Sequence, residues 1–285
     1  MFTLPKEIML ELTDRCNLNC EYCFRSSSKS KGTFIKWDDF TTIVQKLPFV
    51  EVFALCGMGE QLIYPQFYEV VEYLAIYQKK VAVITNGTVK INYERLLKSG
   101  NVESVTFSVD GADEEVIRRV CSQYDFNKLQ DNLITGMEYP QISKEINCVM
   151  TESNIEDVIN IVGLCSKFGI SKLNMLLPTY STDWVKENSV QIKNILNMIQ
   201  EEAKEKKIIY SSPYEKYCFY KGAPIPFVSL SGNIRACCDH YNRIPRIGNL
   251  VTNEFKELFE SKRYSRFNSG EYCKTCSMYS SMVNE

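Results

Sequence analysis

The sequence predicts an α/β fold: a partial (β/α)6 TIM barrel over residues 1–207, followed by a small α+β unit over 208–285. Three observations carry this. Short runs rich in Val, Ile and Leu alternate with amphipathic stretches, the signature of βα units around a parallel sheet. The length of 285 residues gives a prior near two structural units, enough to bury a large core without staples. Beyond Lys207 the alternation stops, and turn signals and cysteines take its place.

In chain order, strands are expected at 8–13, 50–56, 81–85, 102–109, 146–150 and 172–177. Helices are expected at 37–47, 67–78, 93–99, 114–137, 155–168 and 190–206. The helical period is clearest in the fifth, where Ile155, Val158, Ile159, Val162 and Cys165 share a face, with Asn154 as N-cap and Gly169 as the stop. The fourth carries Asp113 as its cap and breaks near 122–127. In the C-terminal unit, Ser231-Gly232-Asn233 reads as a hairpin turn and Phe255 opens a short helix.

Charged residues make up 24% and hydrophobic ones 45%, a globular balance that excludes disordered and fibrous classes. The 33 basic residues against 35 acidic ones give a net charge of -2, which argues against nucleic-acid or acidic-membrane partners. No run approaches the roughly 18 apolar residues of a membrane span. Pro5, Lys6, Glu7 and Glu11 stand where a signal peptide needs an apolar stretch, so the expected location is cytoplasmic. In that reducing compartment, twelve cysteines point to metal rather than to disulfides.

Cys16, Cys20 and Cys23 form a C-x3-C-x2-C spacing just after the first strand, at the end of the barrel where active sites are built. Three thiolates on an iron–sulfur cube leave one iron free to bind something else, whereas the usual four close it. Zinc wants four ligands, and the chain has a single histidine, His240.

This spacing, with Tyr22 before the last cysteine, resembles the signature of the radical S-adenosylmethionine (radical SAM) superfamily. The resemblance implies that Cys16, Cys20 and Cys23 hold a [4Fe-4S] cluster whose free iron is chelated by SAM, which is cleaved to a 5′-deoxyadenosyl radical that takes a hydrogen atom from the substrate. It also implies an electron donor such as flavodoxin or ferredoxin. Gly57-Met58-Gly59-Glu60 after the second strand is similar to the motif that meets the SAM amino group, by close backbone approach and one carboxylate. Asn86, Ser108 and Asp110, at the ends of the third and fourth strands, are implied SAM contacts, although Asn-Gly and Asp-Gly are also ordinary turns. Arg119 resembles a SAM-binding arginine of that family, with a solvated helix charge as the alternative.

Cys218, Cys237, Cys273 and Cys276 resemble the C-terminal extension called SPASM in its full form and twitch in its short form. With no further cysteine before Glu285, the short form is expected, with one auxiliary [4Fe-4S] cluster on those four ligands. A four-cysteine structural zinc is the competing assignment. Cys238 is open between replacing Cys237, packing, and donating a hydrogen atom to the substrate. Cys56, Cys121, Cys148 and Cys165 are expected to be buried thiols.

An auxiliary cluster saturated by protein ligands suits electron transfer. The expected reaction is therefore net two-electron oxidation of a small molecule, with modification of a ribosomally made peptide, by crosslinking or epimerisation, as the alternative.

Overall fold

The computed structural model describes residues 4–27, 32–178, 182–214, 225–235, 237, 246–269 and 271. Seven parallel strands succeed one another in space as they do in sequence: β1 (Glu7–Leu10), β2 (Val52–Leu55), β3 (Lys80–Thr85), β4 (Val102–Ser108), β5 (Ser143–Val149), β6 (Lys172–Leu176) and β7 (Ile209–Ser211). β1 to β6 are the six expected strands. β7 was not expected; it is three residues long and pairs with β6 at Leu173↔Tyr210.

On the other side of β1, β8 (Phe227–Val228) pairs in parallel at Met9↔Phe227. β9 (Asn233–Arg235) and β10 (Arg246–Asn249) then continue antiparallel, so the C-terminal hairpin extends the barrel sheet. Gly232 at φ +77° makes the turn, as its position in the hairpin requires.

The helices are α1 (Trp37–Lys46), α2 (Phe67–Ile76), α3 (Tyr93–Ser99), α4 (Glu114–Val120), α5 (Phe126–Met137), α6 (Ile161–Lys167), α7 (Thr182–Glu187), α8 (Ser189–Glu205), α9 (Phe255–Phe259) and α10 (Lys262–Asn268). The 114–137 stretch breaks where the sequence suggested, and Asp113 caps α4 by accepting from Val116 N. The fifth helical stretch differs. It starts as a 3-10 turn at Val158–Asn160, and Asn154 is no cap: it is buried, accepts from Thr151 N and donates to the carbonyls of Asp110 and Val149. Three side-chain hydrogen bonds, one of them to Asp110 O across 44 positions, outweigh the single cap that local pattern proposed.

Alternate strand residues divide the barrel. Phe53, Leu55, Val81, Val83, Val105, Phe107, Ile146 and Leu173 are buried in the apolar core with Phe40, Phe67, Leu129 and Ile161 from the helices. The residues between them, including Ala54, Ile84, Ser108, Asn147 and Asn174, face the lumen, where Asn174 donates to Asn147 at 3.0 Å. Function is therefore expected at the lumen's upper rim, where the strands end.

Candidate active site

After β1 the chain enters the cysteine loop, which is fastened at several points. Cys23 N donates to Cys20 O at 3.0 Å, closing the turn that brings the last two cysteines together. Tyr22 OH donates to Asp110 Oδ2 at 2.7 Å, Glu21 N to Val120 O at 3.0 Å, and the Glu21 carboxylate accepts from Thr151 and Ser153 hydroxyls at 2.9 Å each. The loop is thereby tied to the ends of β4, α4 and β5.

Cys16, Cys20 and Cys23 are all half-buried. Burial raises the pKa of the Cys16 and Cys20 thiols, Cys20 being further raised by Cys121 beside it. Leu18 N and Asn86 Nδ2 point at Cys16 Sγ, at 3.5 and 3.9 Å, the kind of N–H donors that stabilise a cluster-bound thiolate. Among the described residues no three Cys, His, Asp or Glu converge as ligands of a single ion do. A cube takes each thiolate at a different iron, so a soft three-sulfur set spread along a pinned loop fits that group.

Beside Cys16 a cavity opens, lined by Cys56, Gly57, Gly59, Glu60, Ile84, Thr85, Asn86 and Ser108. Glu60 is 2% exposed. Its carboxylate accepts from Asn86 N at 2.7 Å, Thr85 Oγ1 at 2.9 Å and Leu62 N at 3.1 Å, so most of its lone pairs are taken by the protein. Burial pushes its pKa up and these donors oppose the rise.

The glycines do approach something closely, but it is the protein's own chain. A Cβ on Gly59 would lie 2.3 Å from Arg15 O and 2.5 Å from Thr13 O, and one on Gly57 would lie 2.5 Å from Glu11 Cγ. These contacts press the 57–59 turn onto the end of β1.

The structure thus brings Cys16, Gly57, Gly59, Glu60, Asn86 and Ser108 to one cavity. Tyr22 and Asp110 pair with each other beneath the cysteine loop; Asp110, 5% exposed, also accepts from Val149 N at 2.8 Å, and burial pushes its carboxyl up to about 6. Arg119 does not line this cavity. Its exposed guanidinium pairs with Asp157 at 2.7 Å and Glu115 at 3.1 Å, as the solvated-charge alternative describes.

Cys121, Cys148 and Cys165 are buried as expected, whereas Cys56 is half-buried and lines the cavity, because it occupies a lumen-facing position just past β2. Cys237 is 8% exposed, two residues beyond β9. Cys218, Cys238, His240, Cys273 and Cys276 lie outside the described residues.

Sequence reasoning missed the amides and acids that hold the site. Gln61 accepts from Leu12 N at 2.6 Å and donates to Gly59 O at 2.9 Å. Asn132 holds the 87–91 turn through Gly87 O, Val89 O and Ile91 N. Glu11, just past β1, is a buried acid in the otherwise apolar run Ile8-Met9-Leu10-Glu11-Leu12, the local signal that could have found it.

Residues 10–191 match the family model described as the radical SAM superfamily. The chain belongs to that superfamily. Residues 218–277 of this radical SAM protein match the SPASM iron–sulfur cluster-binding domain, the family of which twitch is the short form. It is 23% identical, over 96% of its length and 87% of the relative's, to a tungsten-containing aldehyde ferredoxin oxidoreductase cofactor-modifying protein of Pyrococcus furiosus. Its fold is similar to that of Streptococcus suis SuiB bound to the precursor peptide SuiA, with a TM-score of 0.75 at 14% identity, over 97% of this chain and 70% of the other. It is also similar to anSMEcpe with bound AdoMet and a peptide, with a TM-score of 0.74 at 20% identity, over 95% and 86% of the two chains. The radical SAM part binds SAM and a [4Fe-4S] cluster, and the SPASM part binds auxiliary iron–sulfur. Among the described residues no helix is long and apolar enough to cross a membrane.

Proposed function

We propose that this enzyme abstracts a hydrogen atom from its substrate and completes a net two-electron oxidation, the auxiliary cluster accepting the second electron. The match of residues 218–277 to the SPASM iron–sulfur domain supports this reading, because it supplies an electron acceptor whose hairpin shares the barrel sheet, β9 joining β1 through β8. Two strand spacings, about 10 Å, separate β9 from β1, and β9 runs antiparallel to it, so Cys237 stands toward the start of β1 and Cys16 beyond its end.

In this reading Cys16, Cys20 and Cys23 hold the SAM-binding cluster, and Cys218, Cys237, Cys273 and Cys276 hold one auxiliary [4Fe-4S] cluster, the two units dividing near Lys207. When bound and reduced, the first cluster supplies a 5′-deoxyadenosyl radical from SAM. The protein's part is placement. Leu18 N and Asn86 donate toward Cys16, the Tyr22–Asp110 pair fixes the cysteine loop, and Glu60 presents its remaining lone pair to the SAM ammonium while holding Asn86 in place. Ser108 is the ribose or carboxylate contact.

The substrate of the first reading is a small molecule bearing an oxidisable alcohol. A ribosomally made peptide is the second reading, favoured by the likeness to SuiB and anSMEcpe, both solved with peptides bound. Release of 5′-deoxyadenosine above the substrate-free rate, measured with polyols and with peptides, sorts the two. Once a substrate is known, the Cys273→Ala, Cys276→Ala enzyme should still cleave SAM while product falls, and the product should be two hydrogens lighter than substrate. An isomeric product that vanishes in Cys238→Ala would instead establish hydrogen donation and epimerisation.

A further inference from the structure

The cavity wall formed by the 57–59 turn is held by a second buried carboxylate, Glu11. It follows β1, points into the lumen and is 4% exposed. One oxygen accepts from Met58 N at 2.8 Å, inside the turn whose glycines line the cavity. The other accepts from Leu230 N at 3.3 Å, in the turn between β8 and β9. Glu11 N in turn donates to Val228 O at 2.9 Å. Burial, reinforced by Asp14, pushes the carboxyl up to about 7, and the two backbone donors oppose that rise.

A single rigid carboxylate therefore touches the turn beside SAM and the hairpin of the SPASM part. Gly57 leaves it no slack, since even a Cβ there would lie 2.5 Å from Glu11 Cγ and 2.7 Å from Oε1. A shift of the hairpin that withdraws Leu230 N turns the carboxylate, and the turn donating to its other oxygen must follow or lose its acceptor. We infer that Glu11 is a positioning residue that sets the SAM-binding 57–59 turn according to how the C-terminal hairpin sits on β1. This rests on the reading that the cavity receives SAM. The SPASM part then adjusts SAM affinity through a side chain that is not among those lining the cavity.

The test uses anaerobically reconstituted full-length enzyme, with SAM affinity from equilibrium dialysis and amide exchange read at Met58 and Leu230. Glu11→Ala should weaken SAM binding about tenfold, with iron content unchanged. Glu11→Gln keeps an oxygen for Met58 N but presents N–H to Leu230 N, so the Leu230 amide should exchange faster while the Met58 amide stays protected. Its SAM affinity should lie between those of wild type and Glu11→Ala, about threefold below wild type, because the hairpin no longer holds the side chain; wild-type affinity with a faster-exchanging Leu230 amide refutes the coupling. Wild-type SAM affinity in folded Glu11→Ala overturns the proposal. So does equal weakening in both variants with Met58 and Leu230 protected as in wild type. If Glu11→Ala does not fold, Glu11→Gln decides alone: unchanged exchange at Leu230 refutes the coupling. Glu60→Ala is the separate control, because normal SAM affinity there refutes the cavity assignment itself, whatever Glu11 does.

Discussion

Two buried glutamates stand on either side of the 57–59 turn, and they are satisfied differently. Glu60 draws its donors from the barrel alone: Leu62 N, Thr85 Oγ1 and Asn86 N. Glu11 takes one from the barrel, Met58 N, and one from the C-terminal hairpin, Leu230 N. The first arrangement fixes a wall; the second makes a joint between two parts of the chain. A carboxylate's role in a site follows from where its donors come from as much as from where it points.

The largest expected effect removes what both walls serve. Changing Cys16, Cys20 and Cys23 together to Ala should abolish 5′-deoxyadenosine formation and lower iron from about eight to about four per chain, measured by iron assay after reconstitution. An unchanged iron content would place the first cluster elsewhere. Next, Glu60→Ala strips the acceptor from three donors at once and should cost about 4 kcal/mol in denaturant unfolding, besides weakening SAM binding. A loss no larger than that of Glu11→Ala would erase the distinction between wall and joint.

The third effect is a pH dependence. The folded-state pKa of Glu11, about 7, lies above its ordinary 4.5, so its contribution is fully present below pH 4.5 and is lost as pH rises through 7. Among the described residues, Asp14 and Cys56, which follows the neighbouring β2, are the titratable groups against it, and neither supplies a positive charge. Wild type should therefore lose about 3 kcal/mol relative to Glu11→Gln between pH 4.5 and 7, measured by urea unfolding at each pH. A flat difference would mean that the carboxylate is not desolvated. The smallest effect is Gly57→Ala, about 2 kcal/mol, because its Cβ would lie 2.5 Å from Cγ and 2.8 Å from Cβ of a Glu11 held at both oxygens. In a Glu11→Ala background only the 2.8 Å approach to the Cβ of residue 11 remains, so the same change should cost less, and the double-mutant cycle measures that coupling.

The barrel was legible because its period is local. β3, β4 and β6 appear within a residue or so of where Val, Ile and Leu runs placed them, α3 spans the residues expected, and Gly169 ends its helix at φ +63°. β7 escaped because three residues, one of them the exposed Ile209, carry too little alternation to read. The cavity followed from strand ends and glycines, and Ser108 and Asn86 stand in it. The bonds that organise it were not legible. Tyr22 meets Asp110 across 88 positions and Glu11 meets Leu230 across 219, distances at which no spacing rule operates. The misplaced cap at Asn154 shares that cause through one partner, Asp110 O, which lies 44 positions away.

The parallel pairing of β8 with β1 has a consequence for how the chain is made. β1 is synthesised first and β2 soon covers one of its edges, but the other edge waits for Phe227 and Val228. At ordinary ribosomal speed the intervening chain takes on the order of ten seconds to emerge. For that time the nascent barrel carries an open strand edge beside the apolar Ile8 and Leu10, a template for pairing with a neighbouring chain. Truncations that stop before the hairpin leave that edge open permanently, and aggregation rather than a stable half-enzyme is their expected fate.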